Sequence, residues 1–222
     1  MITTAKIVKY NPKYILLAPD DDLFREITKK GIETVEIRLT DGRTISPEQR
    51  RKIFAIIRDI AIWSGEDSEY LRMILTTNFV IKNGMDELFS LKDIDLTTAK
   101  EFINFLIEFC FLWSVPTKDT MLNYTDDIGR YLYACLEHRK CAICNRPAEV
   151  HHVNRIGMGH DREQIVHVGL KAIALCREHH DMAHRSEKKL FDYYHIYGIK
   201  LDEYLCKRLN LRTKERQQKR GD

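Results

Sequence analysis

Hydrophobic and polar positions change their period several times along the chain, and each period predicts a type of element. The runs YILLA, residues 14–18, and TVEIRLT, residues 34–40, are β-type. The second run contains apolar positions that alternate with charged ones, as in a half-buried strand. A turn, DGRT, follows at residues 41–44, so residues 1–40 are predicted to be rich in strands.

The next part of the chain has helical periodicity. Residues 46–49, SPEQ, combine an N-cap serine, a proline at the first helical position and the glutamine of a capping box. They predict the start of a first helix, whose isoleucines recur on one face. A second helix is predicted over residues 68–82. A third, over residues 99–113, is predicted to be capped by Thr98 and Glu101, and its apolar residues on most sides predict burial.

Periodicity weakens over residues 114–127, where turn-forming and polar residues predict a boundary between two domains. Beyond it, one helix is predicted at residues 128–139, and a helix, a turn at Gly198 and a second helix at residues 191–211. The predicted division is an α+β domain at 1–115, a linker at 116–129, a second domain at 130–210 and a basic tail at 211–222.

Charge is distributed unevenly over the 222 residues, whose net charge is only +3. Residues 128–222 carry 19 Lys and Arg against 12 Asp and Glu, whereas the rest of the chain is acidic. A basic half favours a polyanion such as nucleic acid as partner, although a solvated charged surface explains the charge alone equally well. No apolar run reaches the roughly 18 residues of a membrane span, and the start has no apolar signal core. A cytoplasmic protein without a membrane partner is therefore predicted.

Three of the six cysteines have the spacing of metal ligands. Cys141 and Cys144 form a Cys-x-x-Cys pair, and Cys176 and His179 repeat that spacing later with one histidine substituted. Three cysteines and one histidine are a common ligand set for structural Zn²⁺, which would join two segments around a small core. A lone Cys-x-x-Cys pair also occurs by chance or in redox sites, but the second pair favours zinc. The cysteines predicted to be core or helix residues are Cys110, Cys135 and Cys206.

Four further histidines form a second pattern. His180 and His184 are four residues apart on a predicted helix, so they lie on one face and can hold an ion together. His151 and His152 are neighbours at a predicted strand end, where adjacent side chains point in opposite directions. One of these two can bind the ion while the other faces a substrate. For any one of the four taken alone, a surface histidine is the favoured alternative.

The combined pattern of CAIC, HHV, LCREHH and a following histidine resembles HNH endonucleases of the ββα-metal type with a zinc knuckle. The resemblance implies a β-hairpin followed by a helix, with a divalent ion between strand and helix, in an α+β chain that ends in further helices. It implies His152 as the general base. It also implies one catalytic ion, Mg²⁺, Mn²⁺, Ni²⁺ or Zn²⁺, in addition to the structural Zn²⁺. The ligands that it assigns to the catalytic ion are His151, His180 and His184.

The sequence departs from the HNH pattern at the middle asparagine. In the family this residue precedes the second half of the knuckle and braces the loop that holds the base. Lys171 occupies the nearest position here, and Asn154 follows the base too closely to match. We expect His167 or a backbone group to take over the bracing, and a weakly braced loop is the alternative.

Four basic residues are candidates for contacts with DNA. The loop NRIGMGHDREQ, residues 154–164, is long and contains Arg155 and Arg162, so we expect it to approach a phosphate backbone. A loop that is merely flexible is the equal alternative. Lys171 and Arg177 complete the set, and either Arg155 or Arg177 is a candidate to clamp a phosphate.

Over its whole length the chain also resembles predicted HNH nucleases of phages of Gram-positive bacteria, through GMGHDREQ, ALCREHHDMAH and YHIYGIKLDEYLCKRLNL. The first half resembles NinB-type phage recombination proteins, through DGRTISPEQRRKIFAIIRDIA, FSLKDI and LTTAKEFINFLIEF. That resemblance implies binding of single-stranded DNA and a single-strand-binding protein as partner, and a plain helical packing domain is its alternative.

The resemblances together imply a metal-dependent HNH DNA endonuclease that hydrolyses phosphodiester bonds in single-stranded or branched DNA. They place it in phage DNA recombination or replication, in the cytoplasm of a bacterial host. The alternative is a non-catalytic, zinc-containing DNA-binding module of a recombination protein. Such a module needs only one four-ligand site, whereas this sequence contains ligands for two.

Overall fold

The computed structural model describes residues 5–18, 21–34, 42–153 and 166–213 of the chain. Helices predominate in these ranges together with two small antiparallel sheets, which confirms the predicted α+β class. None of the described helices is long and apolar enough to cross a bilayer. The elements in chain order are β1 (Lys6–Asn11), β2 (Tyr14–Ala18), α1 (Asp21–Lys30), α2 (Pro47–Ser64), α3 (Ser68–Lys82), α4 (Leu96–Trp113), α5 (Met121–Tyr124), α6 (Ile128–Glu137), β3 (Glu149–His152), β4 (Lys171–Leu175), α7 (Arg177–Tyr194), β5 (Ile199–Lys200) and α8 (Glu203–Arg208).

The first sheet is a hairpin of β1 and β2, whose turn is fixed by the side chain of Asn11. Its Oδ1 atom accepts hydrogen bonds from the backbone N–H groups of Lys13 (2.8 Å) and Tyr14 (3.1 Å). Strand β2 confirms the prediction for YILLA, whereas the run TVEIRLT lies outside the described residues from Val35 onward. The strand-rich prediction misses α1, a helix of ten residues, which is a length at which local propensity alone gives a weak signal.

Helix α2 begins with the predicted capping box. The Ser46 side chain accepts a hydrogen bond from the backbone N–H of Gln49 (3.0 Å), and the Gln49 side chain accepts one from the N–H of Ser46 (3.0 Å). Helix α3 has the predicted bounds. Local sequence signals therefore define both helices, and their apolar faces pack together in the core.

Helix α4 is the buried helix of the first half, as its apolar composition predicted, and α2, α3 and α6 pack against it. Its assigned cap is wrong. Asp95, rather than Thr98 with Glu101, is the N-cap, and its carboxylate accepts the Thr98 backbone N–H (2.9 Å), so the helix begins at Leu96. The stretch DLTT offers aspartate and threonine within four positions, and both are good N-caps, so the sequence alone did not distinguish them.

One continuous cluster of buried side chains extends from Ile45 to Leu209, through both halves of the chain. Helix α6 packs against both α4 and β4. The predicted linker contains α5, and Met121 at the start of that helix is only 1% exposed. The division into two domains stays a prediction, and α6 joins the two halves because it contacts α4 as well as the strands β4 and β5 of the second sheet.

The second sheet carries the histidines singled out in the sequence. Strands β3 and β4 pair antiparallel, with His151 opposite Ile173 and His152 opposite Ala172, and β5 pairs with the other edge of β4. Helix α7 packs against β3 and β4 and is interrupted once, at Ser186 (φ −161°, ψ 77°). The prediction of a helix, a turn at Gly198 and a second helix after the metal motif is right only in part. The first of these helices is the end of α7, the chain turns at His195 (φ 53°), and Gly198 leads into the additional strand β5 before α8.

Gly198 lies directly before β5, where this strand comes close to the end of β3. A Cβ atom at this position would lie 2.4 Å from Cγ2 and 3.0 Å from Cβ of Val153, and 3.4 Å from Cβ of Lys171. The valine side chain is branched at Cβ and therefore stiff, so it cannot easily move aside. The close approach of the two segments thus requires a glycine here.

We expect Gly198→Ala to lower the free energy of unfolding by about 1–3 kcal/mol, the usual effect of an added methyl group in a packed site. For a chain of this length, each 1 kcal/mol lowers the Tm by about 2–4 °C. Thermal unfolding followed by circular dichroism measures the change. Adding Val153→Ala relieves the clash, so the two effects should be non-additive; simple additivity would contradict the packing argument.

Candidate functional site

Three cysteines and one histidine meet where the segment after α6 contacts the start of α7. The Nδ1 atom of His179 lies 3.2 Å from Sγ of Cys176, 3.4 Å from that of Cys141 and 3.6 Å from that of Cys144. The Sγ atoms of Cys144 and Cys176 are 3.7 Å apart. A tetrahedral Zn²⁺ with bonds of about 2.0–2.3 Å separates its ligand atoms by about 3.3–3.8 Å. The donor set and its spacing fit this ion, so the cluster could hold a structural zinc.

Backbone hydrogen bonds of a tight turn hold the cysteine pair in place. The N–H of Cys141 donates to the carbonyl of Arg146 (2.8 Å), which closes the turn. The N–H of Ala142 donates to the carbonyl of Ala174 on β4 (2.9 Å), two residues before Cys176. Strand β4 therefore brings together the two halves of the cluster, which are far apart in sequence.

The surroundings of this cluster disfavour thiolates that have no cation beside them. Burial raises the pKa of the Cys141 thiol to about 12. Burial also opposes ionisation of Cys144, but hydrogen bonds from Arg146, whose Nε lies 3.2 Å from the Cys144 Sγ, outweigh it and lower the pKa of that thiol. Burial lowers the pKa of His179 and keeps the imidazole neutral. A bound cation would stabilise the thiolates, because metal-bound thiols are deprotonated.

Replacement of Cys144 by serine should release the structural ion and unfold the second half of the chain, since metal binding in such small regions contributes directly to folding. We expect the loss of one zinc equivalent per chain by elemental analysis. The Tm should fall by roughly 10 °C or more, which corresponds to several kcal/mol.

The matched control for this variant is Cys206→Ser, which changes a buried cysteine outside the cluster. It should lose some stability but retain the zinc content of the wild type. A Cys144→Ser protein that is soluble and still binds the full zinc content would contradict the zinc assignment.

A second cluster is formed by His151 on β3 and by His180 and His184 on α7. The ring centroids of His151 and His180 are 4.9 Å apart, those of His151 and His184 are 5.3 Å apart, and those of His180 and His184 are 4.7 Å apart. One ligand atom from each ring lies within 4.8 Å of the other two. The structure thus brings together the three residues that the resemblance assigned to a catalytic ion, and that role stays a prediction.

The donor chemistry of the three imidazoles fits a divalent cation. Burial lowers the pKa of His151, which keeps the ring neutral with a lone pair available for a metal. His151 is only 4% exposed, whereas His184 is exposed, so solvent reaches the cluster from the side of α7. Three protein ligands leave coordination positions for water or substrate, which is the pattern of catalytic metal sites.

His152 lies on the opposite face of β3 from His151, because side chains alternate along a strand. Its Nε2 atom is 2.9 Å from Nδ1 of His167. Burial, together with the neighbouring His167 and His151, lowers the pKa of His152. A neutral imidazole at this position is able to accept a proton.

His167 and a backbone group occupy the region where the HNH pattern expects its asparagine. The N–H of His167 donates to the carbonyl of Arg212 (2.9 Å), which ties the turn before β4 to the C-terminal segment. The N–H of Val153 donates to the carbonyl of Lys171 (2.9 Å). His167 and a backbone hydrogen bond, the two predicted replacements for the family asparagine, therefore both lie next to His152.

The candidate DNA contacts are only partly within the described residues. Lys171 is the first residue of β4 and Arg177 the first of α7, so they lie at opposite ends of that strand. Lys171 is at the end near His152, and Arg177 is at the end near the cysteine cluster. Arg155 and Arg162 lie outside the described residues. The role of all four in binding DNA stays a prediction.

Three charged residues that no metal-ligand spacing singles out contact the candidate ligands. Arg146 donates to the thiol sulfur atoms of the cysteine cluster. Glu149 Oε2 lies 3.3 Å from His180 Nδ1, and Glu187 Oε2 lies 2.9 Å from His151 Nε2. The period of the strand contained a signal for Glu149, which precedes His151 by two residues. Glu187 lies beyond the interruption of α7 at Ser186, so helical spacing from His180 does not place it.

An antiparallel strand pair followed by a helix, with imidazoles between them and a cysteine cluster at the start of the helix, is the ββα-metal arrangement that the sequence resemblance implied. The sequence model of a family described as "Putative HNHc nuclease" matches residues 20–212. The chain belongs to this HNH nuclease family. No curated protein and no solved structure matches the chain significantly. The resemblances to phage nucleases and to NinB-type proteins stay predictions.

Proposed function

We propose that this protein is a metal-dependent DNA endonuclease that hydrolyses phosphodiester bonds. One observation supports this function above all others: imidazoles from β3 and α7 converge in one cluster, while His152 lies beside them on the other face of the strand. His151, His180 and His184 would hold the catalytic ion. Membership of the HNH family supports the same reaction.

The divalent cation, when bound, supplies positive charge to the scissile phosphate and to the departing 3′ oxygen. Imidazole ligands suit Zn²⁺, Ni²⁺ or Mn²⁺ better than Mg²⁺, and all four remain candidates. The histidine cluster orients the scissile phosphate relative to β3. The buried position of His151 excludes water from the inner side of the cluster.

His152 is the general base of the proposed reaction. Its Nδ1 accepts a proton from the water that attacks phosphorus. For Nδ1 to be an acceptor, the ring proton must be on Nε2, which then donates to Nδ1 of His167 (2.9 Å). With Nδ1 of His167 as the acceptor, this contact would favour the tautomer that the base needs, and it would stabilise the imidazolium that forms when the proton is taken up.

The proposed substrate is DNA that contains single-stranded or branched segments, and the biological setting is phage recombination or replication in the cytoplasm of a bacterial host. A single-strand-binding protein is the proposed partner. Lys171, Arg177 and the two arginines Arg155 and Arg162 would contact phosphates around the scissile bond. The substrate class, setting and partner rest on the sequence resemblances, whereas the reaction rests on the geometry of the histidines.

His152→Ala should reduce cleavage by about 10²–10⁴-fold, the contribution of a positioned general base. The measurement is cleavage of labelled single-stranded, duplex and branched DNA with Mn²⁺, and with EDTA as the metal-free control. Metal content and Tm should equal those of the wild type. His195→Ala, at an exposed histidine that belongs to neither cluster, should cleave normally.

A His152→Ala protein that cuts DNA at the wild-type rate would refute the assignment of the base. The non-catalytic DNA-binding module remains the second candidate, because the family asparagine is replaced by Lys171. It would bind one ion per chain and bind DNA without cutting it. Two ions per chain and cleavage that EDTA abolishes would favour the nuclease instead.

Helix α2 presents an uncovered basic and aromatic face in the first half of the chain. Arg51, Phe54 and Arg58 recur at helical spacing, are all exposed and line one groove. Among the described residues, no carboxylate pairs with either arginine. Within the proposed function this face binds single-stranded DNA, with the guanidinium groups at phosphates and the phenyl ring stacked on a base.

Arg51→Ala combined with Arg58→Ala should weaken binding of a labelled oligothymidylate, measured by fluorescence anisotropy. The logarithm of the association constant falls linearly with the logarithm of the salt concentration, with a slope of about 0.7 per phosphate contact for single strands. Loss of two phosphate contacts should therefore make this slope shallower by roughly 1.4. Arg72→Ala is the control, since its guanidinium is paired with Glu69 on α3. An unchanged slope in the double variant would rule out this surface.

A further inference from the structure

Two glutamates contact rings of the histidine cluster. The glutamate on the helix contacts the histidine on the strand, and the glutamate on the strand contacts a histidine on the helix. Glu187 on α7 reaches the strand histidine, with its Oε2 at 2.9 Å from Nε2 of His151. Glu149 on β3 reaches a helix histidine, with its Oε2 at 3.3 Å from Nδ1 of His180. Each element therefore supplies both an imidazole to the cluster and a carboxylate to an imidazole of the other element.

We propose that Glu187 and Glu149 are positioning residues of the metal site, each of which sets the tautomer of one ligand ring. The inference rests on the proposed function, because it assumes that the histidine cluster binds a divalent cation. An ionised carboxylate can only accept a hydrogen bond, so the ring nitrogen that it contacts must donate. His151 then carries its proton on Nε2 and His180 on Nδ1. His151 then presents Nδ1 to the metal, and His180 presents Nε2.

The geometry distinguishes this role from direct ligation. The ligand atoms of His151, His180 and His184 all lie within 4.8 Å of one another, and within the described residues neither glutamate belongs to that set. A ring nitrogen whose proton is held by a carboxylate is not available to a metal, and the other nitrogen is. Histidine ligands of metals usually donate their second N–H to such a partner.

The charges of the site support the same role. Three neutral imidazoles contribute no charge to offset a dication, whereas the two glutamates contribute two negative charges close to the rings. The two pairs differ in exposure, since the side chains of His151 and Glu187 are 5% and 35% exposed and those of His180 and Glu149 are 18% and 60% exposed. Water screens the second pair more, so Glu187 should have the larger effect.

The single interruption of α7 lies between the histidines and Glu187. Ser186 has non-helical angles, two residues after His184 and one before Glu187. His180 and His184 precede the interruption on regular helix, so their relative positions follow from helical spacing alone. The direction of the chain at Ser186 then determines where the Glu187 carboxylate lies relative to β3.

Titration of zinc-loaded protein with Ni²⁺, followed by calorimetry, tests the proposal without DNA or cleavage. Glu187→Ala should weaken Ni²⁺ binding by about 10–100-fold, the usual effect of removing such a partner. Glu149→Ala should have a smaller effect in the same direction. Asp192→Asn removes one negative charge from an exposed position of α7 and should leave Ni²⁺ affinity unchanged.

Nuclear magnetic resonance of the imidazole nitrogens measures the tautomer of each ring directly. If the glutamates only stabilised the fold, their replacement would leave these tautomers unchanged. In the wild type without Ni²⁺, His151 should be protonated on Nε2 and His180 on Nδ1. Glu187→Ala should produce a mixture of tautomers at His151 alone, with the Tm of the zinc-loaded protein unchanged. Glu187→Gln keeps an acceptor oxygen, so it should preserve the tautomer and lose only the part of the affinity due to charge.

The possible failures are distinguishable. If His184→Ala abolishes Ni²⁺ binding but Glu187→Ala binds as tightly as the wild type, the metal site stands and the inference is overturned. A proton on Nδ1 of His151 in the wild type would overturn it as well. If the wild type binds no Ni²⁺ beyond the structural zinc, both the inference and the metal site of the proposed function fall.

Discussion

Two adjacent residues of α7, His179 and His180, belong to different clusters, and the rest of the site depends on this division. An α-helix turns by about 100° per residue, so neighbours diverge while residues three or four apart share a face. Cys176 and His179 therefore meet the cysteine pair, and His180 and His184 meet β3. Whatever fixes the cysteine cluster fixes the rotation of α7 as well. A structural zinc would thus orient the histidines of the second cluster without touching them.

His151 and His152 are adjacent on β3, so their side chains point to opposite faces of the strand. The position of β3 is set by residues that are distant in sequence. His151 faces α7, and His152 faces the turn that carries His167. The C-terminal segment holds that turn through the carbonyl of Arg212, and the close approach at Gly198 determines how near β5 comes to the end of β3. The second sheet is small and its strands are short. These contacts, together with α6 and α7, which pack against the sheet, therefore hold its histidines in defined positions.

Burial has opposite consequences for the two clusters. A histidine must be neutral to bind a metal, and burial favours the neutral ring, so His151 is ready for a ligand role before any ion arrives. A cysteine must be ionised, and burial opposes this, which raises the pKa of Cys141. The cysteine cluster therefore depends on positive charge, partly from Arg146 and mainly from the ion that it would hold. An ion bound by the cysteine cluster would therefore hold in place the helix that carries His180 and His184.

Features with a local period or a local signature could be predicted from the amino-acid sequence alone: the capping box at Ser46, the knuckle spacing, the helical pair His180 and His184, and the alternation at His151. Where two residues both had the character of an N-cap, as Asp95 and Thr98 do, the N-cap predicted from the sequence was wrong. Contacts between groups on different elements follow instead from tertiary packing, namely the crossed glutamate contacts and the pairing of the proposed base with a second imidazole. These contacts join residues on separate strands, turns and helices. The period of a strand shows which face a residue such as Glu149 lies on. The contact itself depends on how α7 packs on β3 and on how the C-terminal segment holds the turn at His167.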